Sequence, residues 1–332
     1  MQLFLLQNLL CNVSGYSLEW NVLVPLEESC PSQCECNQNF FMNYARCESG
    51  EEIDFTKLSP GLTSLVIANT PIQRWTSEVN FPELVRLEIH NTTLTEIHIG
   101  EKMRNLKFLK ITNNRLSDFC KIIFKTNLTL LDLDLSGNIM KSPNCIVNLP
   151  SVVHLKLEEN EFEAFDSFLF KIPSVLQLDL SGNPIKSINL TDNVRSLKKL
   201  TLQGCNIKEL DTTYFQIPHI KNIDLQSNPL VKLDANYGLE NLEQLKLDKT
   251  MIEDEENLIL NTPNLHTLSM NHAPIKILNN CKGLSALSRI GLQNTSLKSW
   301  NSTSCDTSKL QSIDLSESMQ WSSGQSRRLG LN

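Results

Sequence analysis

Aromatic side chains make up only 6% of this 332-residue chain, and glycine only 12 residues. No Gly-rich phosphate loop occurs, which excludes the common nucleotide-cradling motifs. The six histidines His90, His98, His154, His219, His266 and His272 are scattered, and none accompanies a Ser or Cys in a nucleophile motif or a second His at zinc spacing. Catalysis and a cofactor are therefore not expected. Positive charge is also short: the formal net charge is -7, the pI is near 5.5, and the basic pairs Lys198-Lys199 and Arg327-Arg328 do not form a stripe. That balance argues against a nucleic-acid partner held through phosphates. No apolar run reaches the ~20 residues of a membrane helix.

What the chain has in abundance is self-similarity. The pattern Leu-x-x-Leu-x-Leu-x-x-Asn-x-Leu recurs twelve times, beginning at Leu62, Leu84, Leu106, Leu130, Val152, Val175, Leu197, Ile220, Leu242, Leu265, Leu287 and Leu310, so successive copies start 22 to 24 residues apart. Positions 3 to 7 alternate exposed and apolar, the period of a strand: Leu133 and Leu135 point inward, Asp132 and Asp134 outward. A lone copy cannot bury its apolar edge, and stacked neighbours form one continuous core. Position 9 carries Asn114, Asn138, Asn160, Asn183 and Asn228, whose amides suit the unpaired backbone of a turn. Thr70, Thr92, Cys205, Thr250, Ala273, Thr295 and Ser318 stand there in the other copies, so the flanks should be less regular than the middle. Pro82, Pro150, Pro173, Pro218 and Pro263 precede repeat starts and stop any helical turn. Segments such as Phe165 to Phe170 and Tyr214 to Ile217 have room for a short turn or one helical turn.

At this point the chain resembles the leucine-rich-repeat family. The resemblance implies an α/β solenoid, a horseshoe with a parallel sheet on its concave face and a mostly irregular or short-helical convex side. Cys30, Cys34, Cys36 and Cys47 stand immediately before the first repeat, and that arrangement is similar to the cysteine-rich N-terminal cap of extracellular members such as Slit, Toll and Nogo-receptor-like ectodomains. Four cysteines also suit zinc. The resemblance implies disulfides instead, Cys30 with Cys36 and Cys34 with Cys47, with an unusually long loop holding Phe40 and Phe41.

The resulting division is a leader over 1–15, a lead-in over 16–29, a cap over 30–61, repeats over 62–320 and a polar tail over 321–332 without a recognisable cap. The leader lacks a basic residue before its apolar stretch. The repeat frame places Cys120 and Cys145 at neighbouring positions of adjacent copies, and Cys281 and Cys305 likewise; one repeat step of roughly 5 Å falls in the span of a disulfide. These pairs are expected to bridge, with Cys205 left as a buried thiol. Acceptor sequons occur at Asn12, Asn91, Asn127, Asn189, Asn294 and Asn301. Their number is near that expected by chance, while Asn91 and Asn294 fall at position 8 near opposite ends of the strand face. Cysteine use therefore carries the expectation of a secreted or extracellular chain, which occupied sequons would favour.

Position 5 reads Glu88, Lys110, Asp134, Lys156, Asp179, Thr201, Asp224, Lys246, a ladder of opposite charges across the sheet. It serves either repeat register and solubility or partner binding. Around it lie Lys107, Phe108, Asp132, His154, Glu158, Gln177, Lys199, Gln203, Asn222, Gln226 and Gln244, with Phe108 the one aromatic. A broad contact with a protein or glycan is expected there rather than a deep ligand pocket. The acidic run Glu253-Asp254-Glu255-Glu256 lacks calcium-loop spacing and reads as solvated surface. The expected function is noncovalent recognition by a receptor ectodomain, adhesion molecule or innate-immune factor. A matrix-binding protein is the alternative, and an intracellular adaptor the third, which free thiols would favour.

Overall fold

Alternation inside each repeat determines which way its side chains point, and the direction is the same in every copy. Leu133, Leu155, Leu178, Leu200, Ile223 and Leu245 are at most 2% exposed, while their neighbours on either side are half-buried or exposed, Thr201 excepted. The computed structural model describes residues 30–38, 43–76, 80–124, 129–278, 283–300 and 308–318. Within them, twelve repeat strands from Ser64–Ala68 to Ser312–Asp314 join two cap strands in one 14-stranded sheet. The repeat strands pair in parallel, each with the next copy: Lys156 lies opposite both Asp134 and Asp179. We number the repeats as rungs 1 to 12.

Each rung turns inward at the same point. Position 8 has a positive φ in all twelve rungs, at Asn69, Asn91, Asn113, Gly137, Glu159, Gly182, Gly204, Ser227, Lys249, His272, Asn294 and Glu317. The left-handed residue folds the chain off the strand and sends position 9 into the core. There the asparagine amides do what the turn requires. Asn183 Nδ2 donates to the Leu157 and Leu180 carbonyls, both at 2.8 Å, while its Oδ1 accepts from Phe162 N at 3.0 Å. Each such side chain thus ties its own turn to the preceding rung. The thiol of Cys205 substitutes by donating to Leu180 O at 3.1 Å, and burial pushes its pKa up to about 11.

The convex side adds a regular feature to the irregular and short-helical stretches expected there. Short parallel ladders of two to four residues run along it, among them Arg74–Trp75, Glu96–Ile99 and Ile122–Phe124 in one sheet and Glu209–Asp211, Lys232–Ala235 and Leu258–Leu260 in another. Helical structure among the described residues is limited to three-residue 3-10 turns such as Glu101–Met103 and Asp192–Val194. The reason is visible in Glu96–Ile99, where Ile97 and Ile99 are fully buried and Glu96 and His98 point out. Apolar alternation operates on this side too, and extended neighbours satisfy one another's backbone groups. The segment from Phe165 to Phe170 accordingly contains the end of a strand, Ala164–Asp166, then a tight turn and the start of Phe170–Lys171.

The N-terminal end is closed by an antiparallel hairpin, Cys34–Gln38 with Asn43–Glu48, whose second strand runs parallel to Ser64–Ala68. Disulfides Cys30–Cys36 and Cys34–Cys47 fix this hairpin. Ala45 and Cys47 project from it onto the core with no exposed surface. A third disulfide, Cys120–Cys145, joins rungs 3 and 4. Nearby, Phe119 meets Phe170 edge-on at 5.3 Å, and Phe165 stacks on Phe170 at 4.7 Å. The leader and lead-in, Phe40 and Phe41, Cys281, Cys305, Asn12, Asn127, Asn301 and the tail lie outside the described residues.

The concave face as candidate functional site

Strand register brings the expected residues together on one surface. Position 3 presents Arg86, Phe108, Asp132, His154, Gln177, Lys199, Asn222 and Gln244 side by side. Position 5 presents Glu88, Lys110, Asp134, Lys156, Asp179, Thr201, Asp224 and Lys246 in the same register. Glu158, Gln203 and Gln226 follow at position 7, just beyond their strands, and Lys107 sits at position 2, exposed at the rim.

Local chemistry divides this surface into tied and free side chains. Asp134 Oδ1 accepts from Ser136 N at 3.1 Å and Ser136 Oγ at 2.6 Å, and Asp179 holds Ser181 in the same way at 3.0 and 2.6 Å. Asp224 does so with Gln226 N at 3.1 Å. These carboxylates cap the turn after their own strands, a structural task that position alone did not reveal. Lys110 approaches Asp134 at 4.0 Å and Lys246 approaches Asp224 at 3.4 Å. Such partly exposed pairs contribute about 0 to 1 kcal/mol each. Lys156, between Asp134 and Asp179 in register, makes no ion pair within 4 Å among the described residues. Lys199 and Gln177 are likewise exposed.

Two clusters carry unusual electrostatics. Burial pushes the Glu88 carboxyl up, but hydrogen bonds from His90 Nε2 at 2.9 Å and Arg86 Nη1 at 3.2 Å outweigh it and hold it below the usual glutamate range. Burial raises Glu158 above that range, reinforced by the neighbouring charges of Asp179 and Asp134 and opposed by Lys156. Beside this acidic centre, His154 Nδ1 pairs with Asp132.

Sequence reasoning missed Arg86 and the rim. Arg86 lies over the Phe108 ring at 4.6 Å, so the lone aromatic is shielded on one face rather than open. Reading position 3 as well as position 5 in rung 2 would have found it. Leu131, Val153 and Leu176 occupy position 2 of rungs 4 to 6, linked through Val153 N to Leu131 O and Leu176 N to Val153 O, both at 2.8 Å. They form a partly exposed aliphatic strip beside the polar columns. Depressions on this face are shallow, about 210 Å³ around His154, Gln177 and Lys199 and about 220 Å³ around Arg86, Phe108 and Lys110. Both fall below the ~300 Å³ where small-molecule pockets begin. Among the described residues, no group of three metal-binding side chains converges.

This architecture is the leucine-rich-repeat horseshoe fold. Residues 104–162 and 195–252 match the leucine rich repeat family. A search of curated proteins finds no match. Many solved structures share the fold. The Toll–Spatzle complex, a hub in Drosophila development and innate immunity, is 17% identical, with 86% of this chain and 44% of that one covered and a TM-score of 0.58. YopM, an effector protein from Yersinia pestis, is 18% identical over 82% of this chain and 77% of its own, with a TM-score of 0.56. The LRIM1/APL1C complex is 21% identical over 76% of this chain and 51% of that one, with a TM-score of 0.52. No helix among the described residues is long and apolar enough to cross a membrane.

Proposed function

We propose that this chain is an extracellular recognition module that binds a protein partner through the concave side of rungs 3 to 9, as a receptor ectodomain, adhesion molecule or innate-immune factor. The observation that carries the reading is the in-register polar surface whose central cations, Lys156 and Lys199, are exposed. Side chains without an internal task are the ones free to pair with a partner. Shallow relief favours a macromolecular contact over a small ligand. Three disulfides support an oxidising compartment and weigh against the adaptor alternative. Toll and LRIM1 are both seen in complex with another protein, which supports a protein partner by analogy of fold alone.

Crosslinking the secreted chain on living cells identifies a partner, and charge reversal then locates it. The variant Lys156→Gln, Lys199→Glu should bind at least about tenfold more weakly while losing no more than about 1 kcal/mol of stability. Asp179 is left intact because it caps its own turn. Unchanged binding by this variant, with loss on reversing the convex Lys171 and Lys232 instead, would move the site to the other face.

A further inference from the structure

Phe168 is the most exposed phenylalanine among the described residues, with 66% of its surface open. It sits on the convex side, in the turn after Ala164–Asp166, a strand that pairs in parallel with Ser187–Asn189 of the next rung. Asp166 lies directly opposite Asn189 in that register. Inward side chains here are Phe165 and Ser167, at 1% and 0% exposure. Asp166, Phe168 and Asn189 are therefore the ones that face outward.

One oxygen ties these three residues together. Asp166 Oδ1 accepts from Asn189 Nδ2 at 3.1 Å and from the Phe168 backbone N at 3.0 Å. Asn189 opens the sequon Asn189-Leu190-Thr191. Its amide nitrogen carries two hydrogens, and only one is used by Asp166. N-glycosylation replaces one and leaves one, enough for the modified side chain to donate to Asp166 as before. That bond points the new substituent out from a fixed origin beside Phe168. The other described sequons lack this setting: Asn91 lies in the left-handed turn between Asn69 and Asn113 of the adjacent rungs, and Asn294 Nδ2 is 3.0 Å from His272 Nδ1.

We propose that Asn189 carries an N-linked glycan whose first sugar packs against the open face of Phe168. The step joins the Asn189 nitrogen to the anomeric carbon of the reducing-end N-acetylglucosamine of a lipid-linked oligosaccharide. The carbon–oxygen bond to the donor's pyrophosphate breaks, and the nitrogen gives up one proton. The electron-rich ring face then meets the sugar's C–H bonds, and an apolar ring otherwise left in water is covered. This rests on the extracellular reading above and extends it: the glycan occupies the convex flank of rungs 5 and 6 and leaves the concave columns free.

The test uses the full chain secreted from cultured eukaryotic cells, analysed by glycopeptide mass spectrometry and by hydroxyl-radical footprinting. Asn189 is expected to be occupied. Enzymatic removal of the whole glycan from the folded protein should raise oxidation of Phe168 about twofold relative to Tyr237, as when one of two ring faces is uncovered. Trimming to the single reducing-end sugar should leave Phe168 protected, and Asn189→Gln should show the higher rate from the start. Phe168→Ser should stay fully glycosylated and lose any dependence of its melting temperature on that sugar. A bare Asn189 beside an occupied Asn91 or Asn294, or equal Phe168 oxidation before and after glycan removal, would overturn the proposal. Disulfide mapping of the same sample separates the two layers, since a chain with reduced cysteines would sink the extracellular reading first and this one with it.

Discussion

Rungs 6 and 12 follow the same pattern, and their cores end up different. Leu178 and Leu180 in rung 6 are 1% and 0% exposed, while Ile313 and Leu315 in rung 12 are only partly buried against the same core. Rung 6 is bracketed by Leu155 and Leu200. Rung 12 pairs on one side with Arg289–Gly291 and is the edge of the sheet as described. The pattern supplies apolar side chains, but burial is supplied by the neighbour, so the stability of a rung is largely a property of its interfaces. Position 9 gives a second contrast, of rung 6 with rung 9, since Ser318 of rung 12 still donates across to Leu292 O of rung 11. Asn183 bonds across to rung 5 and within its own turn, whereas Thr250 Oγ1 reaches only Leu247 O of its own turn at 2.8 Å. Ala273 has no side-chain donor at all.

The largest expected consequence is in local opening. Amides of Ile313 to Leu315 should exchange roughly a thousandfold faster than those of Leu178 to Leu180, about 4 kcal/mol in opening free energy. Hydrogen exchange read residue by residue on a demonstrated monomer measures it. Similar protection at both strands would mean that rung 12 is covered, and the comparison would fail.

Next in size is the ladder itself. Asn183→Leu removes a donor from the Leu157 and Leu180 carbonyls and an acceptor from Phe162 N, all buried, and should cost about 3 kcal/mol. Thr250→Val removes one local bond and should cost about 1 kcal/mol. Denaturant melts of the two variants against the parent chain decide this. Equal losses would show that cross-rung bonding is not what distinguishes the asparagine rungs.

How much of this was legible in the sequence depends on whether the pattern repeats. The concave sheet, its register and the inward Asn ladder follow from one spacing seen twelve times, because a period-two alternation admits one orientation of each strand. Cys120 and Cys145 could be placed on adjacent rungs for the same reason. The left-handed residue at position 8 escaped notice because Gly, Asn, Glu, Ser, Lys and His all fill it. There the constraint is imposed by the stack and not by residue type. Convex strands escaped because their apolar alternation lasts only two to four residues, too short for a period to stand out. At the candidate site, the columns were legible and the division of labour within them was not. Asp134 and Asp179 look like binding charges until Ser136 and Ser181 are seen to depend on them.

The smallest effect concerns Glu158, which has no counterpart in rung 12, where Ser316 occupies the same position. Burial and the charges of Asp179 and Asp134 raise its carboxyl above the usual glutamate range, with Lys156 as the partial counterweight. A carboxyl whose pKa is raised on folding binds its proton more tightly in the folded chain than in the unfolded one. Its cost to stability is therefore fully present above the folded pKa and is relieved as pH falls through that value toward the ordinary glutamate range. Glu158→Gln removes the charge, so it should stabilise the chain at pH 7, by less than about 1 kcal/mol because the group is partly solvated. The advantage over the parent should shrink as pH is lowered from 7 toward 5. Melting temperatures of the two proteins across that window measure it, with the tied residue Asp179 unchanged in both. A gap that widens on acidification would reverse the sign, and would mean that Glu158 is stabilised as an anion by Lys156 rather than strained beside Asp179.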